Sequence, residues 1–561
     1  MYRAVRDMLD SPEEERTVAV RSDPALPPLQ VSDHDDPRVV EEAATDDYSL
    51  HVVPRTWRMD RFKLTMAWYG VATAFFYIYL AAFIALAYGT VNALIGIALT
   101  VVAYSLINII ILRFATKSGL TVALFSRSMF GFVGAAIATL IFAATCIYFL
   151  VFEGSVIAVA AETFFGGPIK LWYAIVIALT APLVWKGVRT WLDRLNGVLL
   201  PFFLVALIAV VAWAVADKGY HGFLPDAKAA PGTTLPWLQA FTAYMGVWVL
   251  MMFTMDFARL ARPEDQGYHS LVTFGWLFYV LTFLVNGLVG ILLVSTFGIS
   301  LEALAGQESA LPVSIVNLTG LLGLLLIVIT QMRINTVNLY LASSNLQSFF
   351  SLVFRLNLPR TLWLVVACVV GYLLMLTNVF SYVLDALNYQ GIAIVAWVGI
   401  ALAHMAYLRR EHADLDRMEF RPGRIPAFNP GGIVAWVVAT AIGVALKIAD
   451  TTTSQFFDTW GLPLTFVIAF GLYTAATLRS ARPQWFAMAR PNDPIDEVAD
   501  AWEARVRCHR CDKSYVAHEM DRDPTGGHEA ICAACATGPA FHAAASHEAR
   551  EARTPMGSAS R

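Results

Sequence analysis

Charge is the scarcest property of this sequence. Only 15% of its 561 residues are Asp, Glu, Lys or Arg, whereas an average soluble domain carries roughly 25%. Hydrophobic residues make up 57% of the chain, and the mean hydropathy is +0.58. The apolar residues form runs of about 18 to 25, long enough to cross a bilayer core of about 30 Å. This pattern excludes an ordinary soluble protein and predicts an all-α polytopic membrane protein.

Cysteine is scarce as well, with six residues in the chain. Cys146 and Cys368 stand singly in apolar segments, where a free cysteine behaves as a small hydrophobic residue. The other four lie near the C-terminus, and this distribution does not indicate a disulfide framework. The chain begins with acidic and polar residues, so we expect no cleavable signal peptide.

The polar residues divide the chain into three parts. Residues 1–50 are rich in Asp, Glu and Pro, which predicts a disordered tail. Residues 51–480 contain the apolar runs, and residues 481–561 form a second polar tail. The alternative to a full set of spans is fewer spans with some buried soluble helices. We predict twelve spans at approximately 64–88, 91–112, 131–161, 170–186, 196–216, 236–256, 270–297, 312–348, 361–378, 380–408, 432–449 and 459–478.

The loops between these spans alternate between a basic side of the membrane and an opposite side that has few basic residues. The loops on that opposite side hold Lys170, Lys218, Lys228 and Lys447. Because Lys and Arg are enriched in cytoplasmic loops, we expect both termini in the cytoplasm and the protein in the plasma membrane. The basic side carries Arg113, Lys117, Arg127, Lys186, Arg189, Arg194, Arg259, Arg262, Arg355 and Arg360.

Glu153 is a carboxylate deep in the third predicted span, four residues after Phe149. Residues at this spacing share one helical face. An aromatic plane beside a carboxylate suits a flat heterocycle with N–H groups, since the ring stacks while the carboxylate accepts hydrogen bonds. A carboxyl group inside the membrane is also a candidate protonation site. A structural ion pair with Arg333 or another helix is the alternative.

The eighth predicted span is rich in polar side chains. It contains Arg333, Asn335 and Asn338, together with Gln331 and Thr336. Asparagine offers a donor pair and an acceptor, so it can read the edge of a nucleobase, although adhesion between helices explains any single amide equally well.

Gly246 and Trp248 lie in the middle of the sixth predicted span. A glycine there can mark an unwound helix that exposes backbone groups to substrate. Glycine is also common in ordinary membrane helices, so this signal alone is weak.

Several segments together resemble the nucleobase:cation symporter-1 family, which includes purine–cytosine permeases and allantoin and hydantoin transporters. The resemblance covers roughly residues 47–480. It rests on Asp47-Tyr-Ser-Leu-His-Val-Val-Pro-Arg-Thr-Trp57, Lys117-Ser-Gly-Leu-Thr121, Ser126-Arg-Ser-Met-Phe-Gly131 and Asp256-Phe-Ala-Arg-Leu260. It implies a leucine-transporter-like fold of two inverted five-helix repeats plus two helices, with substrate between spans one, three, six and eight.

The resemblance also assigns roles to individual residues. Phe149 takes the position of a stacking aromatic, Glu153 that of a hydrogen-bonding residue one turn later, and Trp248 that of a second stacking ring. Gly246 marks the broken sixth helix. Arg333 and Ile334 stand where sodium-coupled members have two hydroxyl residues, so sodium coupling is disfavoured.

The resemblance thus implies a proton symporter that imports a nucleobase, with Glu153 as the protonation site and Arg333 also at the ion-coupling position. One departure is that Val71 to Tyr88 contains no Gly, Pro or Asn, although the family's first helix breaks near its middle. Either the break uses residues around Ala74 to Tyr77, or the pocket is modified.

Four cysteines in the C-terminal tail follow a metal-binding pattern. Cys508-x-x-Cys511 and Cys532-x-x-Cys535 are separated by twenty residues, and two such pairs can close a tetrahedral zinc site. We expect a structural zinc module at residues 505–536. A redox pair, or a histidine ligand such as His509 or His528, is the alternative. The role of the tail, regulation or contact with a cytoplasmic partner, stays open.

The sequence therefore predicts a transporter, with a small nitrogenous solute and the lipid bilayer as partners and no nucleic acid. The spans contain no nucleophile–base pair or catalytic metal cluster, so we do not expect an enzyme. Cargo such as allantoin or hydantoin is one alternative. A transporter-like sensor that signals through the zinc tail is another.

Overall fold

A computed structural model describes residues 26–306, 309–356, 358–377, 383–411, 418–450, 455–479 and 487–552. The described chain is mainly helical. Its helices are α1 Pro37–Asp46, α2 Arg61–Trp68, α3 Phe75–Tyr88, α4 Thr90–Ser118, α5 Val122–Phe130, α6 Ala135–Phe165, α7 Ile169–Leu183, α8 Asp193–Lys218, α9 Pro236–Met245, α10 Val249–Ala258, α11 Pro263–Phe297, α12 Leu301–Gly306, α13 Ala310–Thr319, α14 Leu321–Phe354, α15 Arg360–Met375, α16 Val383–Glu411, α17 Pro430–Ala449, α18 Leu462–Arg479 and α19 Pro539–Glu551.

The apolar helices confirm a polytopic membrane protein. Among the described residues, eight helices are long and apolar enough to cross a bilayer, or up to ten if each of two bent pairs forms one span. The bent pairs are α2 with α3 and α9 with α10, each with an angle of 42°. The predicted fourth and ninth spans correspond to the shorter apolar helices α7 and α15, so the total of twelve spans stays a prediction.

The break in the first span lies just before the region expected from the sequence. Helix α2 ends at Trp68, residues 71–73 form a 3₁₀ turn, and Ala74 is extended with ψ of 130° before α3 begins. The amide of Asn286 donates to the Ala72 carbonyl at 2.7 Å, and the Phe75 N–H donates to the Gln331 side chain at 3.0 Å. Side chains from other helices therefore satisfy the backbone groups that the break frees.

Two long helices form the centre of the membrane part. Helices α6 and α14 pack along much of their length, and their facing side chains are largely buried. Gly154 of α6 lies at this contact, where a Cβ would approach the Asn335 amide nitrogen to 3.5 Å. The polar residues of both helices are thereby brought to one interior region.

The two ends of the chain fold together. Strand β1 Val31–Ser32 pairs antiparallel with β2 Arg505–Arg507, which pairs with β3 Ser514–Val516, while β4 Met520–Arg522 pairs with β5 Ala530–Cys532. We call residues 487–552 the C-terminal module. It extends beyond the predicted 505–536 on both sides and includes α19.

The prediction of disorder throughout residues 1–50 is wrong for its described part. Asp36 caps α1 by accepting a hydrogen bond from the Arg38 N–H at 3.0 Å, and Val39, Ala43 and Tyr48 are buried. The acidic segment is ordered because it packs against the C-terminal module and the membrane helices. Residues 1–25 lie outside the described residues.

Candidate functional site

A cavity lies where the broken helices meet α6 and α14. We call it the central cavity; it contains about 270 Å³ of space between the atoms. Its wall combines aromatic and aliphatic side chains with one carboxylate and one amide, a composition typical of small-molecule sites. It is lined by Ala74, Phe76, Tyr77, Phe149, Glu153, Val247, Val249, Leu250, Phe253, Ile334 and Asn338.

Glu153 is the acidic group of the central cavity. Its side chain is buried, and it accepts hydrogen bonds from the side-chain amide of Gln331 and the backbone amide of Phe76. Phe76 lies in the first turn of α3, where helix N–H groups lack partners within the helix and favour negative charge. The break in the first span thus supplies donors to the carboxylate. No ion pair links Glu153 to Arg333 in the part of the chain that the structure describes, so the alternative of a structural ion pair is not observed.

Phe149 stands one helical turn from Glu153, as the spacing predicts, and also lines the central cavity. Its ring packs edge-on against Phe76, with ring centroids 5.4 Å apart and an interplanar angle of 85°. This contact fixes the orientation of the Phe149 ring. An aromatic face and a carboxylate are therefore held together on one side of the cavity.

Two of the predicted amides lie on α14, but only one reaches the cavity wall. Asn338 lines the cavity, and its amide approaches the Asn335 side-chain oxygen at 3.4 Å. Asn335 is buried, and its amide nitrogen has no hydrogen-bond partner among the described residues. Asn335 therefore supports Asn338 from behind the wall.

Gly246 and Trp248 are not on the cavity wall in this conformation, although Val247 and Val249 are. The Trp248 ring packs edge-on against Phe466 at 5.4 Å and against Tyr104 at 6.5 Å between centroids. That Trp248 stacks on substrate stays a prediction, since the turn between α9 and α10 directs its side chain toward α18 in this conformation. Gly246 does mark the break, and there it lets α16 approach closely at Gly391.

Arg333 points away from the central cavity. It is completely buried, and none of its three guanidinium nitrogens has a hydrogen-bond partner among the described residues. The ring of Phe203 on α8 lies 5.9 Å from its guanidinium carbon. A buried cation without partners is costly in a membrane helix and usually has a function.

Sequence reasoning gave no site role to three polar or aromatic residues around the cavity. Tyr77 and Phe76 follow the helix break, and Gln331 bridges the Phe75 N–H to Glu153. The spacing of Gln331 to Ile334 and Asn338 places all three on one face of α14, which is the signal that could have identified Gln331.

The four cysteines of the C-terminal module come together as predicted. Their sulfur atoms all lie within 4.8 Å of one another, and the Cys532 N–H donates to the Cys508 sulfur at 3.4 Å. Such a set of thiolates fits a tetrahedral zinc ion. His509 and His528 are not in this cluster of described residues; His509 instead contacts Asp523 at 2.9 Å.

Comparison with known proteins defines the class of this fold. A structure of Mhp1, a nucleobase–cation-symport-1 family transporter in a closed conformation with bromovinylhydantoin bound, matches with a TM-score of 0.63 at 15% identity, covering 80% of this chain and 98% of that one. Mhp1 in an inward-facing conformation gives 0.57 at 17% identity, covering 76% and 93%. A Na⁺-coupled sialic acid symporter gives 0.57 at 12% identity, covering 79% and 93%. The fold is that of a secondary transporter with leucine-transporter-like architecture.

The family follows from the sequence match. Residues 55–467 match the family model for permeases of cytosine/purines, uracil, thiamine and allantoin, and the chain belongs to this family. None of the curated proteins compared with the chain matches it. The protein is a multi-pass membrane transporter and not an enzyme, as the sequence predicts.

Proposed function

We propose that this protein imports a nucleobase, a purine or cytosine, by proton symport with alternating access. The observation that carries the proposal is the buried carboxylate of Glu153 beside the ring of Phe149 on the wall of one cavity. A purine or cytosine presents a flat face together with N–H or amino donors. The flat face can stack on the Phe149 ring, and the donors can bond the Glu153 carboxylate.

The side chains of the cavity wall offer such a ring three contacts. Phe149 stacks on its face, an interaction worth roughly 1–3 kcal/mol per base. Glu153 accepts hydrogen bonds from ring N–H or amino groups, and Asn338 offers a donor and an acceptor at another edge. The hydrogen bond from Gln331 orients the carboxylate before substrate arrives, so less ordering is required on binding.

Proton coupling is favoured over sodium coupling by the residues around Arg333. The positions of two sodium-ligating hydroxyls are occupied by Arg333 and Ile334, and the guanidinium is buried without a partner among the described residues. A fixed positive charge opposes sodium at this place. Glu153 is then the group in contact with the cargo that can exchange a proton.

A second cargo class fits the same cavity. The family description includes allantoin, and the Mhp1 structure contains a hydantoin. Both are flat or nearly flat nitrogen-rich rings that present N–H groups to a carboxylate. Allantoin or a hydantoin is therefore the alternative cargo, with the same roles for Phe149 and Glu153.

The charge of the loops gives the orientation. Because the basic loops lie on the side of the two termini, we infer that both termini are cytoplasmic and that the protein is in the plasma membrane. In the cytoplasm thiols stay reduced, which favours zinc over a disulfide at the four cysteines.

We further propose that Cys508, Cys511, Cys532 and Cys535 hold a structural zinc ion. Zinc would supply much of the folding energy of these short strands. Metal analysis of the purified protein tests this directly. About one zinc per chain is expected for a closed four-thiolate site, and a chain free of zinc and of other bound metal would refute it.

The transport proposal is tested by uptake into cells that lack their own permeases. Radiolabelled cytosine, adenine, hypoxanthine, uracil and allantoin are supplied at two pH values, with and without sodium. We expect accumulation of a purine or cytosine that is greater at the lower pH and independent of sodium. Accumulation that depends on sodium and not on pH would contradict proton coupling, and uptake of allantoin alone would select the alternative cargo.

A further inference from the structure

We propose that the C-terminal module is a metal-organised clamp on the segment that leads into the first span, and that this clamp slows opening of the transporter toward the cytoplasm. The proposal rests on the zinc site proposed above and adds a regulatory function to it. It depends on three sets of contacts: one at residues 51–58, one at the cluster of four cysteines, and one at residues 419–425.

The first contact is made by Glu519, which is completely buried between β3 and β4. Its carboxylate bonds the His51 ring at 2.6 Å and accepts from the Val52 N–H at 2.7 Å. The His51 ring also stacks on Tyr515, with centroids 3.9 Å apart and an interplanar angle of 9°. The module therefore binds both the backbone and a side chain of the segment before α2, and we call these contacts of His51 and Val52 the grip.

This grip adjoins the proposed metal site. Ligand atoms of His51, Glu519 and Cys532 lie within 4.8 Å of one another. Cys532 ends β5 and pairs with Met520, the residue after Glu519. A metal ion that fixes Cys532 therefore also fixes the strand that presents Glu519, and loss of the metal should loosen the grip.

The module is anchored a second time on the segment that leads into α17. Arg421 pairs with Asp493 at 2.6 Å, and Arg424 pairs with Asp521 at 3.1 Å. The His542 ring contacts the Ile425 carbonyl at 3.1 Å. The module thus bridges two parts of the membrane domain that are far apart in sequence, and relative movement of the two would have to break one set of contacts.

The residues just before the gripped segment cover a second cavity. We call it the inner cavity; it contains about 230 Å³ of space. Ser49 forms part of its wall and donates to the Gln347 side chain at 2.7 Å, while the neighbouring Asp47 accepts from the Tyr340 hydroxyl at 3.1 Å. The wall is mostly polar and consists of Ser49, Thr121, Ala123, Asp256, Arg259, Tyr340, Ser344, Asn345 and Ser348.

A polar cavity beside the second broken span, which supplies Asp256 to its wall, is suited to become the path of a polar solute to the cytoplasm. To open it, residues 47–49 must move away from α14. Because His51 and Val52 are tied to Glu519, the clamp opposes that movement. Release of the clamp should therefore favour the inward-open state.

The test uses the full-length protein in lipid nanodiscs and two variants that release the clamp differently. Cys508→Ser with Cys511→Ser removes the metal, whereas Glu519→Gln weakens the contact and leaves the four cysteines in place. Glu529→Gln is the matched control, since this carboxylate is 55% exposed on the same module and its ion pair among the described residues is with His509. Bound zinc is measured in every variant.

Two readouts report on the clamp without requiring a cargo. Hydrogen exchange of residues 47–58 measures the grip. Alkylation of a cysteine introduced by Ser344→Cys, read at the level of peptides, measures access to the inner cavity, where Ser344 is normally buried. We expect both rates to rise by about five- to 150-fold in the two releasing variants, a coupling of ordinary size, and to stay unchanged in Glu529→Gln.

The outcomes separate the clamp from the proposals on which it rests. Unchanged exchange and alkylation in Glu519→Gln would overturn the clamp, whatever is transported. Faster exchange without faster alkylation would show a grip that does not restrain opening, and this also overturns the proposal. A wild-type chain without zinc refutes the metal site itself and, with it, the metal dependence of the clamp.

Discussion

Buried charged side chains have different partners around the central cavity and in the C-terminal module. Around the cavity, Glu153 accepts hydrogen bonds from neutral amides, and Arg333 has no hydrogen-bond partner among the described residues. In the module, buried charges come in networks: Arg490 pairs with both Asp521 and Glu548 at 2.6 and 2.7 Å. Neither Glu153 nor Arg333 is therefore neutralised by an opposite charge among the described residues, whereas the charges of the module neutralise one another and stabilise its fold.

The largest difference between the two regions should be their dependence on metal. Removal of two ligands by Cys508→Ser with Cys532→Ser should abolish zinc binding, whose apparent free energy in small zinc domains is about 10–16 kcal/mol. We expect the module to become sensitive to protease while the membrane helices stay folded. Limited proteolysis with mass spectrometry measures this. Equal protection of residues 487–552 with and without zinc would show that the module does not need the metal.

The carboxylate of the cavity should be indispensable for coupling. Glu153→Gln keeps the shape of the side chain but cannot exchange a proton, so proton-driven accumulation should fall to background while binding of the base weakens less. Glu162→Gln is the matched control, because Glu162 lies on the same helix and is only partly buried. Accumulation ratios at two pH values measure the effect, and equal losses in both variants would remove the special role of Glu153.

Arg333, which has no hydrogen-bond partner among the described residues, should lower the stability of the fold. An arginine with hydrogen-bond partners should raise it. Arg333→Met removes a buried charge, whose placement at the centre of a membrane helix costs about 2.5–3.5 kcal/mol. The melting temperature should therefore rise, while uptake falls. In contrast, Arg360 bonds the Thr45 carbonyl, the Ser343 hydroxyl and the Val184 carbonyl at 2.9, 2.8 and 2.7 Å. Arg360→Met should therefore lower the melting temperature. A destabilised Arg333→Met protein would mean that the charge is compensated in the fold.

The aromatic face should contribute a smaller and separable amount. Phe149→Ala should weaken binding of the base by roughly 1–3 kcal/mol, which appears mainly as a higher KM. Phe149→Trp retains a stacking surface and should keep most of the affinity. Trp248→Phe should have little effect on KM, because Trp248 is off the cavity wall in this conformation. If Trp248→Phe raised KM as much as Phe149→Ala, the stacking assignment would have to be exchanged.

The smallest effect is expected from an ion pair of the module. Burial alone would raise the pKa of Asp493, but the charge and hydrogen bonds of Arg421 lower it to about 2. A carboxylate with a lowered pKa stabilises the fold above its unfolded pKa of about 4, and this contribution is lost only as the pH falls toward about 2. Asp493→Asn should therefore lower the thermal stability of the module yet leave the pH dependence of uptake between pH 5 and 7 unchanged. A shift of that pH profile would implicate the module in coupling.

The sequence predicted the cavity residues that depend on regular helix geometry. Phe149 and Glu153 share a face because four residues make about one turn, and the four cysteines meet because their spacing is that of a zinc site. The direction of the Trp248 side chain could not be predicted in this way, because Trp248 follows a break, where a helical period no longer determines which side chain faces inward. The break before α3 stayed one of two alternatives in the sequence because its compensating groups, Asn286 and Gln331, come from distant helices.

The ordered N-terminal segment could not be predicted for a similar reason. Its acidic composition is typical of disorder, and its partners are distant in sequence, as in the contact of Asp35 with Arg505 at 2.6 Å and that of Thr45 with Arg360 at 2.9 Å. Composition describes a segment in isolation, while the order of this one comes from docking. The same docking places Glu519 beside His51, which no local pattern indicates.

The central claim is that a base and a proton cross together through Glu153. The most direct test is proton influx into proteoliposomes carrying an internal pH-sensitive dye, driven by an inward gradient of the base selected in the uptake panel. The account predicts acidification that depends on the base and is absent from Glu153→Gln but present in Glu162→Gln. Entry of the base without acidification, or equal acidification with Glu153→Gln, would contradict it.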